Sequence, residues 1–362
     1  MVIKKSVIAA VYLLETVDMT AMEMVFGKGY THPTKKIEFD RYESGREIAL
    51  KGSFSVQANI VKKDGYETVT VNPMEVNEAI VDSPKNSGVK EIGETEYGDT
   101  KGLTSGAKRT IKDDVKGFGK LKKRSQRLEK KSGYDVLVTG KVVVSANGVA
   151  TDEIDYGLTN KVVNDNATAG QYQWNATTDS NPIQQLEEYA LSMGKHAVDS
   201  FILGDEARKA FIKHPEVKQA VDITTGKIAN FTPATKEEKA SKSTSTFLYL
   251  GTTNGNYGKS LEIYADIDQY NDGSNDIYYL DKNFAVGFKA GNTENAQLHY
   301  GAIPVTVGED ANAEMALYQG KEHLDGDISK DPVGVKRMFK SSPLPTMNQP
   351  KAFVSIKATL IA

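Results

Sequence analysis

Five histidines, His32, His196, His214, His299 and His323, are the side chains best suited to proton transfer near neutral pH. No HExxH pair and no other short ligand spacing joins them, so each reads as a satisfied or solvated histidine. Gly27-Lys28-Gly29 is too short for a phosphate loop and lacks the Lys-Ser/Thr ending that would hold phosphate and magnesium; it reads as a helix stop. Asp266, Asp268, Asp272 and Gly273 have the look of a calcium loop. Tyr270, however, occupies a ligand position and Tyr279 stands where a bidentate glutamate would close the site, which favours a plain hairpin turn. The adjacent carboxylates Asp113-Asp114 and Glu187-Glu188 fall on expected helices, where neighbours diverge by about 100° and cannot share a reacting centre. There is no Gly-x-Ser-x-Gly elbow. The absence of cysteine excludes disulfides, thiolate metal sites and thiol nucleophiles, and fits folding in a reducing cytoplasm. No catalytic, cofactor-binding or metal residue is assigned, and no cofactor is expected.

The chemistry left over is that of charge. With 45 Lys and Arg against 48 Asp and Glu the whole chain is near balance, so attraction to a polyanion or an anionic membrane must be local. It concentrates between Thr104 and Lys131, where Ile111, Val115, Phe118, Leu121 and Leu128 recur at helical spacing as one apolar stripe. The other faces carry Lys108, Arg109, Lys112, Lys116, Lys120, Lys122, Lys123, Arg124, Arg127, Lys130 and Lys131. Such a run is either a solvated face or a surface that meets an acidic scaffold or nucleic acid through phosphates, without reading bases. Gly117 and Gly119 each weaken the helix by roughly 1 kcal/mol relative to alanine, and a bend is expected there.

The elements around this helix read as follows. Met1 to Thr16 is an arm without a signal-peptide cleavage site, and no apolar run is long enough for a membrane span. Asp18 to Phe26 is a short helix ended by Gly27 to Pro33. From Lys36 to Val76 the period changes to two, which reads as a long β-ribbon with an Asp64-Gly65 turn between Ile60-Val61 and Tyr66 to Val71. Its expected tip is Lys62, Lys63, Asp64 and Gly65. A two-stranded ribbon of that polarity has little apolar face and open edges, so it is expected to lie across another chain. After the long helix come strands Tyr134 to Val144 and Ala150 to Tyr156, joined at Asn147-Gly148. A helix opens at Asn181-Pro182, strand Ala197 to Leu203 and helix Glu206 to Ile212 follow, and together they mark a second compact α/β domain. Strands Thr246 to Gly251, Lys259 to Tyr264 and Ile277 to Asp281, and a final strand Ala352 to Leu360, complete an α+β chain.

This order resembles the major capsid proteins of tailed bacteriophages, in particular the lambda-like branch of the Hong Kong 97-like capsid fold. The resemblance is carried by Tyr134-Asp135-Val136-Leu137-Val138-Thr139-Gly140, by Asn181-Pro182-Ile183 with Leu186-Glu187-Glu188-Tyr189-Ala190-Leu191, and by Tyr279-Leu280-Asp281-Lys282-Asn283. Phe339-Lys340-Ser341-Ser342-Pro343-Leu344-Pro345 with Phe353-Val354-Ser355-Ile356 is the nearest stretch. The resemblance implies an N-terminal arm at 1–42, an extended β-hairpin loop at 43–80 that reaches over a neighbour, and a peripheral domain at 81–180 with a spine helix at 104–131. It further implies an axial domain at 181–334 and a C-terminal strand at 335–362 that returns to the peripheral domain. On that reading Lys112, Lys116, Lys120, Lys123, Arg124 and Arg127 form an inner face toward DNA or scaffold. Copies of the chain would assemble as hexamers and pentamers into an icosahedral head formed in the host cytoplasm, with a portal and a decoration protein as further partners and no membrane. Members that carry their own scaffold have a longer segment before the ribbon, so a separate scaffolding protein is implied; no lysine–asparagine crosslink is expected. Other readings are an encapsulin-like compartment shell and, from another class, a β-rich adhesin.

Overall fold

The computed structural model describes residues 11, 16–42, 66–82, 105–146, 149–165, 172–175, 180–194, 198–219, 231–307, 314–330 and 333–360. In chain order, helix α1 spans Thr20–Phe26, strand β1 Tyr30–Thr31, β2 Ile37–Tyr42, β3 Tyr66–Val71 and β4 Val76–Asp82. The long helix α2 spans Ser105–Thr139 and is followed by β5 (Lys141–Ala146), β6 (Val149–Asp155) and β7 (Lys161–Val163). Then come α3 (Pro182–Ser192), β8 (Ser200–Leu203), α4 (Asp205–Lys213), α5 (Pro215–Gln219), β9 (Phe231–Pro233), α6 (Lys236–Lys242), β10 (Phe247–Thr253) and β11 (Glu262–Asp266). The chain continues through β12 (Gln269–Asn271), β13 (Asp276–Tyr278), β14 (Phe284–Phe288), β15 (Ala296–Tyr300), β16 (Ile303–Val307) and β17 (Glu314–Tyr318). It closes with β18 (Glu322–Lys330), β19 (Val333–Ser341), β20 (Pro343–Met347) and β21 (Val354–Lys357).

A seven-stranded mixed sheet in the order β7-β21-β14-β8-β11-β10-β9 is the centre of the second half. Its central strand β8 is buried at every residue, as the continuous apolar run Phe201-Ile202-Leu203 requires. Asn181 caps α3 by accepting from the Gln184 amide at 3.1 Å, and Pro182 fills the first turn, where its missing N–H is not needed. Ile183, Leu186 and Ala190 of α3 pack with Ala207 and Phe211 of α4 and with Phe201 and Ile263 of the sheet in one apolar cluster. A second cluster joins Met22, Val25 and Phe26 of α1 to Tyr134 and Leu137 of α2 and to Leu298, Leu344 and Met347.

Several sequence expectations change. The long helix does not stop near Lys131: α2 continues over Tyr134 to Thr139, the start of the expected strand Tyr134 to Val144. The apolar residues there serve a helical face, with Tyr134 and Leu137 buried against α1 and its surroundings. Gly133 interrupts nothing; a Cβ on it would lie 2.3 Å from Met22 Sδ, so its bare backbone is what lets α1 dock. The helix ends instead at Gly140, whose φ of 72° and N–H donated to the Val136 carbonyl at 2.8 Å form a left-handed cap. Leu128, expected in the apolar stripe, is 40% exposed.

The ribbon and the tail also change. Tyr66–Val71 pairs antiparallel with Ile37–Tyr42, Tyr66 opposite Tyr42, while Ile60-Val61 lie outside the described residues; if a ribbon continues over 43–65, Tyr42 and Tyr66 are its base. Lys62, Lys63, Asp64 and Gly65 lie outside the described residues, and in sequence they adjoin that base. The boundary at 80/81 falls inside β4, which pairs with β19 from Val76 opposite Ser341 to Asp82 opposite Val335. The boundary at 334/335 likewise falls inside β19. The C-terminal stretch is shared among three sheets: β19 lies between β18 and β4, β20 joins β15 and β1, and β21 enters the seven-stranded sheet between β7 and β14. Strand β21 thus has one neighbour in the 81–180 region and one in 181–334, and its Val354 and Ile356 join the apolar cluster of α3 and α4.

Candidate functional site

Helix α2 is the frame on which the expected functional surface must be judged. Along its first described turns one side meets the β18-β19-β4 sheet: Phe118 packs with Leu324, and Leu121 packs with Val76 and Phe339. On the same side Arg337 of β19 reaches Asp114, Nη2 to Oδ1 at 2.6 Å and Nε to Oδ1 at 2.7 Å, with both side chains buried. Burial pulls the arginine's pKa down from its ordinary value. Gly117 makes room for this pair, since a Cβ there would stand 3.0 Å from Arg337 Cδ. Lys122 turns inward to Glu322 at 3.5 Å. Arg124 forks onto Glu78 of β4, Nε to Oε2 at 2.7 Å and Nη2 to Oε1 at 2.8 Å.

Toward its C-terminal half α2 meets the seven-stranded sheet through charge as well as apolar packing. Lys130 is fully buried, its Nζ 3.0 Å from Asp266 Oδ2 and 2.8 Å from Asp268 Oδ2. The Tyr134 hydroxyl donates to Asp266 at 2.5 Å, and the Tyr279 ring lies 5.0 Å from the same ammonium. Burial and the neighbouring Asp266 carboxylate drive the Tyr134 phenol well above its usual pKa, so it stays a donor. These contacts explain the false calcium signature. Asp266 and Asp268 are engaged by Lys130, while Asp272 caps its own turn by accepting from the Ser274 and Asn275 amides, each at 2.8 Å. The β12–β13 hairpin is thus an ordinary turn, and among the described residues no group of three or more His, Cys, Asp or Glu could hold a metal.

What faces outward on α2 is narrower than the sequence run. Lys116, Lys120 and Arg127 are exposed and Lys123 is half-buried, a row at spacings of three and four that keeps to one side of the helix. Lys112 lies in the same row by position; its side chain is outside the described residues. Arg124 belongs to a different side, held by Glu78, and Lys122 and Lys130 are interior. Buried and outward lysines alternate here because α2 is covered on two sides by different sheets, which hydrophobic periodicity alone does not reveal.

Two groupings of histidines escape the sequence. His32 Nε2 and His299 Nδ1 stand 2.8 Å apart, although 267 residues separate them. Burial, and then the neighbouring His32, push His299 down to about 4, so the pair is neutral at physiological pH. His214 Nε2 is 3.0 Å from Ser180 Oγ, which has the outline of a base and a nucleophile. But His214 Nδ1 accepts from the Glu216 amide at 3.2 Å, so the proton sits on Nε2 and the ring donates to the serine. That arrangement cannot take the serine proton.

One further surface stands apart from the core. The two-stranded sheet β16–β17 exposes Met315 (85%), Leu317 (56%) and Tyr318 (43%) on a strand with no other partner among the described residues.

A model of the family described as phage major capsid protein E matches residues 5–358. Among solved structures, a protein assigned as a prophage capsid protein, from Escherichia coli CFT073, superposes with a TM-score of 0.65 at 15% identity, covering 96% of this chain and 94% of that one. A phage-related protein from Bordetella bronchiseptica RB50 gives 0.52 at 9% identity, covering 100% and 99%. The capsid of a native GTA particle gives 0.50 at 8% identity, covering 96% of each. No curated protein matches. At these identities the superpositions speak for the fold, which they share over nearly the whole chain.

Proposed function

The chain belongs to the phage major capsid protein E family, and from that premise we propose that its copies join as hexamers and pentamers into an icosahedral head enclosing double-stranded DNA. Its role is that of a capsid shell subunit, and its place is the virion. The observation that carries the proposed mode of assembly is the β16–β17 hairpin, whose Met315 and Leu317 are exposed on an open edge and gain most from a second chain. Many modest contacts of this kind, summed around a closed shell, stabilise the assembly more than any one contact does. The family match favours this reading over an encapsulin-like compartment or an adhesin.

Within that frame the regions take these parts. Residues 1–42 form an arm, and the loop leaving the β2–β3 pair at Tyr42 and returning at Tyr66 reaches over a neighbour. The 81–180 region, with α2 as its spine and β4 added to it, forms the periphery; 181–334 together with β21 surrounds the axes. The row Lys112, Lys116, Lys120, Lys123 and Arg127 faces the interior and meets DNA or scaffold through phosphates or carboxylates. A portal acts as a further partner, and assembly takes place in the host cytoplasm. The chain performs no catalysis, a reading supported by the His214 tautomer and by the engagement of Asp266 and Asp268.

The decisive test is negative-stain electron microscopy with analytical ultracentrifugation of the purified chain, alone and with a co-expressed scaffold. Closed shells are expected. A chain that stays monomeric under both conditions overturns the proposal.

A further inference from the structure

Glu187 of α3 is fully buried, and its carboxylate is turned toward one loop: Oε1 accepts from the Gly255 amide at 3.0 Å and Oε2 from the Tyr257 amide at 2.8 Å. That loop runs from Asn254, the residue after β10, toward β11. Its base is closed by Ser260 Oγ, which donates to the Thr253 carbonyl at 2.7 Å, and by the Leu261 amide, which donates to Thr253 Oγ1 at 3.1 Å. Gly255 has a φ of 71°, and a Cβ on it would stand 2.9 Å from Ser260 N, so the turn requires glycine directly after Asn254.

An asparagine followed by glycine is the pairing in which a chain most readily attacks its own side chain, because no Cβ shields the attacking nitrogen. The Gly255 nitrogen bonds to Asn254 Cγ, the Cγ–Nδ2 bond breaks, and the amide proton leaves with Nδ2 as ammonia. Water then opens the cyclic imide at either carbonyl, leaving aspartate or isoaspartate at position 254. One half of this reaction is prepared by the fold. The Thr232 hydroxyl of β9 donates to Asn254 Oδ1 at 3.0 Å, at the oxygen that gathers charge when Cγ is attacked, and Asn254 is open to solvent. The other half is blocked. The nitrogen must give up its proton, yet that proton is donated to Glu187; a carboxylate is too weak a base to remove it, and its loss would set a second anion 3.0 Å from the first, away from water.

We propose that Asn254-Gly255 is a self-modification site held shut by Glu187, which withholds the attacking nitrogen while Thr232 keeps the attacked carbonyl ready. The Tyr257 amide on the second carboxylate oxygen fastens the loop at another point, so Gly255 is freed only when residues 255–257 lift from α3 together. Acid accumulating at position 254 then measures the time the loop spends off the helix. The inference concerns bonds within one chain and does not depend on shell assembly.

The test incubates the full-length chain at mildly alkaline pH and maps aspartate and isoaspartate at position 254 by tandem mass spectrometry, each rate being divided by that of the same chain in urea. In the wild type the folded rate should be at least about tenfold below the rate in urea, the equivalent of keeping one hydrogen bond to a charged group. Glu187→Gln removes the charge and leaves one acceptor for two amides, and it should raise the ratio about tenfold. Glu187→Asp keeps the charge but draws it back by one methylene; it should raise the ratio too, and it decides the matter if Glu187→Gln does not fold by circular dichroism. The proposal is overturned by a wild-type ratio near one, or by a ratio that is unchanged or lower in the variant that folds. A lower ratio would make Glu187 a base that assists the attack.

Discussion

At Lys130 the energetics depend on which charge is left behind. The ammonium and its two carboxylate partners have already been withdrawn from water, so the pair as a whole adds little, whereas removing one member strands the others. Lys130→Ala should therefore destabilise the chain by about 3–5 kcal/mol in urea unfolding, while Lys131→Ala, whose partner Asp135 is half-exposed on the same helix, should cost under about 1 kcal/mol. Similar costs for the two would contradict this account. His299 supplies a pH dependence of stability. Its pKa in the folded chain, about 4, lies below the ordinary 6.5, so its stabilising contribution is complete above 6.5 and is lost as pH falls through 4. Stability of the wild type should drop over that window, by up to about 3 kcal/mol for this group, and the drop should shrink in His299→Gln. Little of this was legible in the sequence. The five histidines look scattered because the contacts that join His32 to His299 and Ser180 to His214 are set by strand β15 and by the turn after α4, not by spacing.

At the scale of elements, periodicity served well where one partner covers one face and poorly where two do. Helices α3 and α4 each carry a single apolar side, α3 with the Asn181 cap before it, and both were readable. The last two turns of α2 were read as a strand because Tyr134-Asp135-Val136-Leu137-Val138 fits period two as well as a helix enclosed on several sides; only Gly140 marks the stop. The same double coverage explains the basic run, of which a narrow row faces outward. Replacing Lys120, Lys123 and Arg127 together by glutamine should make the plot of log affinity for duplex DNA against log salt shallower by up to about 3, since each lost phosphate contact contributes about 0.9. An unchanged slope would remove DNA as the partner of this row. On the β16–β17 hairpin, Leu317→Lys should leave the melting temperature of the isolated subunit nearly unchanged, because the side chain is 56% exposed, and yet lower the yield of shells in electron micrographs. Normal yield would exclude this edge from the assembly contacts.

At the scale of the molecule, the α+β class and the order of long helix, helix α3, strand β8 and helix α4 were legible, because each rests on local signals taken in sequence order. The sharing of the C-terminus among three sheets was not, since strands such as β21 find partners fixed by tertiary packing, Ser355 opposite Lys161 and Val286. This sharing ties the thin β18-β19-β4 sheet to the thick seven-stranded one by a short length of chain, while α2 spans the same two regions as a rod of 35 residues, about 52 Å long. The helix is gripped toward its N-terminus through Arg337 and Asp114 and, sixteen residues later, through Lys130, Asp266 and Asp268. A load on either sheet can thus pass to the other along the helix. The stiffness of the particle wall should accordingly depend on two clusters of buried charge more than on the apolar area between its subunits.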